Sequence, residues 1–460
     1  MTTAGIEGFS GQLIRPTDGG YDEYRAVWNL LHDRRPALIA RCGSAADVAA
    51  ALAHGREHGL PIAVRCGGHS LPGHSTVDGG LVIDLRLLDR IEVDAERQLV
   101  RVLGGALLGD VDRESQAHGL VVPVGVVSHT GVGGLTLGGG VGRLMRRFGL
   151  AVDSLLEAEV VLVDGRVVRT SATELPDLFW ALRGGGGNFG VVTEFVFRAH
   201  RLTGLVVLGC FQPLDRVRHV LALAQRVMAD PATPRELLWT SFLRKPPAGA
   251  PFVPAELEGR PGIMSLIEWS GEREAGQRLL ASIRDTLDAP GASVEDVPYL
   301  RMQQLTDELL APGTLHAYVK AGFTDELTAD FMEILGERAA LIGSDMSVIE
   351  VLSLGGAIND TQNDATAFAH RDASWLINVP AQWRDQADTE REIAWCRETF
   401  AAIEPRLSGG AYSNFMEGDE DDAAQSAYGA MQERLASIKA SYDPENLLRL
   451  NQNIRPAVIA

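Results

Sequence analysis

The sequence predicts an α+β protein with more than one domain, and three observations carry that expectation. Near the N-terminus a helix pattern sits between two short apolar strands. Beyond it, two segments alternate polar and apolar residues on either side of a turn, the signature of hairpins rather than repeated βαβ units. From about Leu205 the texture changes to amphipathic helices interspersed with strands of a separate sheet. A length of 460 residues suits two or three domains at roughly 100–200 residues each, with ample material for a large core.

The elements follow in order. PALIARC (36–42) reads as a buried strand ending near Cys42. Ser44 then opens a helix as its N-cap, with Asp47 at the capping-box position and Gly59 as the stop. PIAVR (61–65) is the second strand and runs into CGGHS, where ligand loops of βαβ units usually lie. IEVDAERQLVRVLGG (91–105) is a hairpin with a four-residue turn. EAEVVLVDGRVVRTS (157–171) is a second, around the two-residue signal Asp164-Gly165. DLFWALRGGGGNFGVVTEFVFRAH (177–200) gives a short helix, a glycine loop and a strand. Helices are expected over 216–230, 274–287 and 327–342, strands over 315–323, 347–358 and 374–383, and a Pro/Gly-rich loop over 245–262. A last helix stops before Pro444, because the residue preceding proline avoids the helical region.

Composition narrows the function. The formal net charge of −19 argues against non-specific nucleic-acid binding, which rests on many Lys/Arg–phosphate contacts. No apolar run reaches the length of a membrane span, and the first residues lack the basic and apolar regions of a leader. Cys42, Cys66, Cys210 and Cys396 show no metal-binding spacing and are too few for a disulfide framework, so a cytoplasmic protein with free thiols is expected. Glycine is the anomaly. It supplies 50 residues, and 24 of them fall between Gly67 and Gly190, marking a region where backbone turns sharply or approaches something closely.

Three motifs fall in that region. Gly185-Gly-Gly187-Asn-Phe-Gly190 matches GxGxxG by letter but precedes a strand pattern, and Cys210 stands where an acidic residue belongs, so it is not a Rossmann fingerprint. A loop of exposed N–H groups beside a phosphate is still open to it. Residues 125–147, GVVSHTGVGGLTLGGGVGRLMRR, place seven glycines between Gly131 and Gly142 and then Arg143, Arg146 and Arg147, a composition that suits a pyrophosphate or a plain turn between strands. His69 lies in Arg65-Cys-Gly-Gly-His-Ser70 at a strand end. Its spacing to His74 hints at a metal, but no nearby Cys or carboxylate completes the set.

RCGGHS, GLVIDL, GGLTLGGGVGRLMRRFGLAVDSL, the 177–197 segment, TAFAHRDASW, AYSNF and YDPENLLRLNQNI together resemble, in order, the berberine-bridge-enzyme-like oxidases of the vanillyl-alcohol oxidase superfamily, from about Ala37 to Ile454. The resemblance implies an FAD-binding domain of the PCMH type, itself of two subdomains, formed by the chain segments 1–204 and 418–460. It also implies a substrate domain (205–417) with an antiparallel sheet covered by helices. It implies that His69 bonds covalently to the 8-methyl carbon of the flavin, and a neutral imidazole is a competent nucleophile for that. Arg65, Gly67, Gly68, Ser70, Gly73, Gly131, Gly133, Gly134, Gly138, Gly139, Gly187, Asn188, Val191 and Asn451 are implied to line the cofactor. Many members carry a second link from a cysteine four residues before the GVGG run. Val127 stands there, so FAD with a single tether is expected.

The same resemblance makes Thr130, before Gly131, the gate for oxygen, small enough to favour an oxidase. It makes Tyr412 of Tyr412-Ser-Asn414 the base that accepts a proton while hydride leaves the substrate. Asn378 lies on the strand that faces the flavin in relatives, where a Gln, Glu or Lys often stands nearby; none does in Ser374–Asn378. His316, Tyr318, Glu350 and His370 are further candidates for substrate contact. The expected activity is oxidation of an alcohol, amine or phenolic small molecule, of the kind found in secondary metabolism, with dioxygen reduced to peroxide by a monomer or homodimer. A flavin-dependent reductase of the same fold and a non-catalytic flavin-binding protein are the alternatives.

Overall fold

Strand pairing in the first domain departs from a simple βαβ unit. In the computed structural model, which describes residues 5–250, 252–289, 292–418 and 423–458, Leu38–Arg41 and Ile62–Arg65 are not neighbours. Leu81–Asp84 inserts between them, parallel to both, and Gln12–Ile14 adds an antiparallel edge. Met1–Ala4 of the predicted first domain and Pro251 of the predicted loop lie outside the described residues. Ser44 caps Ala45–Glu57 as expected, accepting the Asp47 N–H at 3.1 Å. Asp47 does not close a capping box. Its carboxylate accepts N–H groups of Ser10 (2.7 Å), Gly11 (3.3 Å) and Gly43 (3.0 Å), pinning the N-terminal segment to the helix start.

A second, five-stranded sheet runs in the order Ile91–Asp94, Leu99–Leu103, Val191–Arg198, Leu155–Val161, Val167–Ser171. All its pairs are antiparallel. The hairpin at Asp164-Gly165 has a three-residue loop rather than two. Leu162 N–H donates to Arg166 O at 2.9 Å, and Gly165 takes φ +88°, the three-residue type closed by a left-handed glycine. The helices Leu108–Gln116, Pro176–Leu182 and Gln432–Tyr442 pack on this sheet through Leu108, Val111, Leu178, Leu182, Leu435 and Ile438.

The third sheet is antiparallel and seven-stranded: Ser293–Pro298, Gly204–Pro213, Gly262–Trp269, Leu237–Arg244, Val348–Ser353, Trp375–Trp383, His316–Thr324. Trp239, Ile267, Ile349, Ile377 and Val379 project from one face into a core closed by Val217–Met228, Arg273–Leu287, Ala329–Ala339 and Thr389–Ile403. Leu238, Ala321, Phe323 and Leu376 project from the other and pack on Val141, Met145, Leu150 and Val152, the end of the glycine-rich segment. Successive residues of a strand point to opposite faces, so parity alone decides which side chains can reach the seam. Backbone is tight there. A Cβ at Gly142 would overlap Val124 O, and Gly142→Ala should lower stability by about 1–3 kcal/mol, read as a shift in the denaturant midpoint.

Candidate active site

The GGHS loop leaves the strand Ile62–Arg65 and lies directly on residues 129–131. A Cβ on Gly67 would overlap Gly131 N, and one on Gly131 would overlap Cys66 Sγ. That contact seats His69 beside His129: His69 Nε2 is 2.6 Å from His129 Nδ1. Trp28 also stacks on His69, with ring centroids 5.2 Å apart. Burial first, and then the neighbouring imidazole, push the His69 pKa down to about 3, so its ring is neutral at physiological pH. His129 was not anticipated from the sequence, where a single histidine in VSHTG is a weak signal.

Several residues expected at the cofactor make contacts within the scaffold. Arg65 donates to the carbonyls of Tyr24 and Ala26, holding the loop base to the N-terminal segment. Gly73 adopts φ +73° with His32 packed where a Cβ would be, and Ser70 Oγ accepts the His74 N–H at 3.0 Å. Asn188 is fully enclosed, donating to Gly185 O and Gln452 O and accepting the Ile454 N–H at 3.1 Å. Val191 points into the core with Val161 and Leu448. Gly138 and Gly139 make room for Asn414 and Phe368. Gly133 packs near Gly104 O, whereas Gly134 and Gly187 have no atom within 4 Å of a Cβ position.

The arginines after the glycines do not await a pyrophosphate. Arg143 pairs with Glu268 at 2.5 Å, Arg146 donates to Leu237 O and Leu354 O, and Arg147 to Ser270 O. All four partners belong to the domain of the seven-stranded sheet. Across the same seam, fully buried Arg371 grips Asp153 through two bonds of 2.7 and 3.0 Å. Tyr412 is buried, and its hydroxyl oxygen accepts from Gly140 N–H (3.1 Å), Val141 N–H (3.2 Å) and Asn414 Nδ2 (2.9 Å). Burial raises its pKa above 10.0 despite those donors.

The inner face of the large sheet carries one informative row. Met264, Phe242, Glu350, Asn378 and Ala321 stand opposite one another across five adjacent strands. Asn378 Nδ2 donates to Glu350 Oε2 at 3.0 Å, and Asn378 Oδ1 is buried without a partner. An acidic residue does therefore stand beside Asn378, supplied by the neighbouring strand. Burial raises the Glu350 pKa, while the Asn378 bond and Arg143 pull it down. Met264, Phe242 and Glu350 nonetheless keep part of their surface accessible.

His316 and Tyr318 have the opposite parity. Both lie on the helix-covered face, His316 stacked on Trp383 at 5.8 Å and Tyr318 accepting from Arg397 at 3.0 Å. They do not share a face with Glu350. His370 stacks on Phe323 and fills the space beside left-handed Gly410. Thr130 is half-buried, its carbonyl accepting the Leu108 N–H at 2.9 Å.

Comparison with known proteins gives the family. Residues 36–171 match the family described as FAD binding domain, and 411–455 match Berberine and berberine like. The chain is 32% identical to (R)-6-hydroxynicotine oxidase of Paenarthrobacter nicotinovorans, over 97% of each chain. The chain belongs to the berberine-bridge-enzyme-like FAD-linked oxidases. Glucooligosaccharide oxidase of Sarocladium strictum is 30% identical over 95% of this chain and 91% of its own. The crystal structure of 6-hydroxy-D-nicotine oxidase from Arthrobacter nicotinovorans superposes with a TM-score of 0.88 at 28% identity, covering 99% of this chain and all of that one.

As a berberine-bridge-like enzyme the chain is an FAD-dependent oxidase, and its residues fit the cofactor. Gly134 and Gly187 border open space, and Asn451 Oδ1 is buried without a partner while its amide donates to Gly187 O at 3.3 Å. Glycine N–H groups at such a clearing suit phosphates, the missing side chains leave space for a flat ring, and the open Asn451 Oδ1 can accept from a cofactor hydroxyl or ring N–H. His69, the Gly131–Gly134 turn, Gly187 and Asn451 are the residues that would hold FAD. Among the described residues no helix is long and apolar enough to cross a membrane.

Proposed function

We propose that this oxidase carries FAD on a single covalent bond from His69 and oxidises a compact, largely apolar molecule at a carbon bearing an amine or hydroxyl group. Electrons then pass to dioxygen, giving peroxide. The observation that carries the substrate class is the cross-strand row: one carboxylate–amide pair, Glu350–Asn378, set beside Phe242 and Met264. An oligosaccharide, with a hydroxyl on nearly every carbon, needs more polar partners than that row offers. The similarity to an enzyme named for a hydroxynicotine supports the same reading.

Bound FAD supplies the hydride acceptor. Glu350 takes the proton of the substrate N–H or O–H, and Asn378 steadies its carboxylate while Asn378 Oδ1 accepts a second substrate hydrogen. Tyr412, anchored by three donors, positions the Gly138–Val141 turn with Asn414 and is not the base. Thr130 leaves room for oxygen. The four buried or half-buried thiols, all free, support a cytoplasmic setting.

Peroxide release from a panel of cyclic amines, aryl alcohols and oligosaccharides tests the substrate class. Turnover of the oligosaccharides above the other two groups overturns it. For the tether, a neutral His69 and Val127 in place of cysteine are the support. A glucooligosaccharide oxidase is described with both cysteinyl and histidyl links. Wild-type protein should keep its flavin through acid precipitation, and His69→Ala should keep none. Acid-stable flavin on His69→Ala would assign the bond to another residue.

A further inference from the structure

The proposed chemistry leaves one contact unused, that between His69 and His129. The rings lie 4.7 Å apart and 28° from coplanar, with Nε2 of His69 2.6 Å from Nδ1 of His129, a direct imidazole–imidazole hydrogen bond. One of those two nitrogens carries the hydrogen, and the surroundings choose which. His129 Nε2 is buried without a hydrogen-bond partner. Burial disfavours charge on that ring, and the neighbouring Asp307 favours it. Asp307 is itself fixed, accepting the Ser128 N–H at 3.0 Å. A hydrogen on His129 Nε2, on the ring that Asp307 favours charging, leaves His129 Nδ1 as acceptor. His69 then donates from Nε2 and keeps the lone pair on Nδ1. Trp28 holds the orientation: it stacks on His69, its Nε1 donates to Leu310 O at 2.7 Å and its N–H to Gly68 O at 3.1 Å.

We infer that Asp307 and His129 form a relay that readies His69 for its own attachment to flavin, His129 accepting the Nε2 proton as Nδ1 bonds to the 8-methyl carbon. This rests on the covalent reading above. The step balances with dioxygen as oxidant. One N–H of His69 and one C–H of the methyl group break and one N–C bond forms; two electrons and two protons go to dioxygen, giving hydrogen peroxide. His129 and Asp307 are positioning residues, acting on flavin only through His69.

The test uses the full chain, purified and incubated with FAD in air. Retained flavin is read on the native protein, and linked flavin by fluorescence of the acid-precipitated, denatured chain. His129→Ala should retain FAD as wild type does yet link it about 10²-fold more slowly, and free imidazole should restore part of the rate. Asp307→Asn should also link more slowly at unchanged occupancy. Both variants linking at the wild-type rate overturns the relay, and slow linkage without imidazole rescue overturns the proton role. If His129→Ala fails to fold, Asp307→Asn decides alone, a wild-type rate overturning the proposal. Wild-type protein that carries no acid-stable flavin overturns the covalent reading itself, a result distinct from variants that link as fast as wild type.

Discussion

Glu350→Gln should lower kcat/KM by about 10²–10⁴-fold at neutral pH, with flavin content and unfolding midpoint close to wild type. The substitution keeps shape and the cross-strand pairing but removes the site that accepts a proton. The pH profile gives an independent check. Burial raises the Glu350 pKa above 4.5, and only the deprotonated carboxylate can act as base. Activity should therefore fall as pH falls through a pKa above the ordinary glutamate range, and that acidic limb should vanish in Glu350→Gln. The Asn378 bond holds the carboxyl pKa down, so Asn378→Ala should move the limb to higher pH. A Tyr412 base would behave differently. Its pKa lies above 10.0, which would put the limb in the alkaline range and the large loss in Tyr412→Phe. That pair of results would transfer the role from Glu350 to Tyr412.

How far this site was legible in the sequence depends on range. The strand Ile62–Arg65, the GGHS loop at its end and the clustered glycines could be read because each signal is local. The motif letters did not say which side chains face inward. Arg65, Asn188 and Val191 belong to the motifs but are spent on the Tyr24 carbonyl, the C-terminal tail and the core. Glu350 meets Asn378 only through register between strands 28 residues apart in sequence, and no local pattern fixes register. Facing was ambiguous for a related reason. SWLINVPAQW is buried on both sides, by helices through Ile377 and Val379 and by the glycine-rich segment through Leu376. Strands buried on both faces lose the alternation that would tell inside from outside. Parity could still have grouped His316 and Tyr318 together, but it could not have said that their common face is the helical one. Arg143, Arg146 and Arg147, after a glycine run and at a helix start, could be read as an anion site or as the end of a plain turn. Their partners sit in the other domain, 91 to 208 residues away.

Lys439→Met should cost about 3–5 kcal/mol of stability, the penalty of leaving a buried charge without its partner. Lys439 and Asp443 are both fully buried, with Nζ 2.6 Å from the carboxylate. The ammonium also donates to Asn188 O at 2.7 Å and Leu448 O at 2.9 Å, so all three of its hydrogens are used. Asp443 in turn accepts the N–H groups of Leu447 and Leu448. One ion pair thus ties the Gln432–Tyr442 helix to the glycine loop and to the turn that leads to Asn451. Methionine fills nearly the same volume, which keeps a cavity from accounting for the loss. Adding Asp443→Asn removes the stranded charge and keeps Oδ1 as acceptor for the Leu447 N–H, at the loss of the oxygen that accepts the Leu448 N–H, and the double variant should recover part of the difference. Chemical denaturation of both single variants, the double variant and wild type gives this coupling directly, and near-additive losses would show that the charges are not what joins them. Gly187 accepts from Asn451, and Asn188 is held by Lys439. Loosening this anchor should therefore reach the cofactor: Lys439→Met combined with His69→Ala should release its flavin on gel filtration more readily than His69→Ala alone.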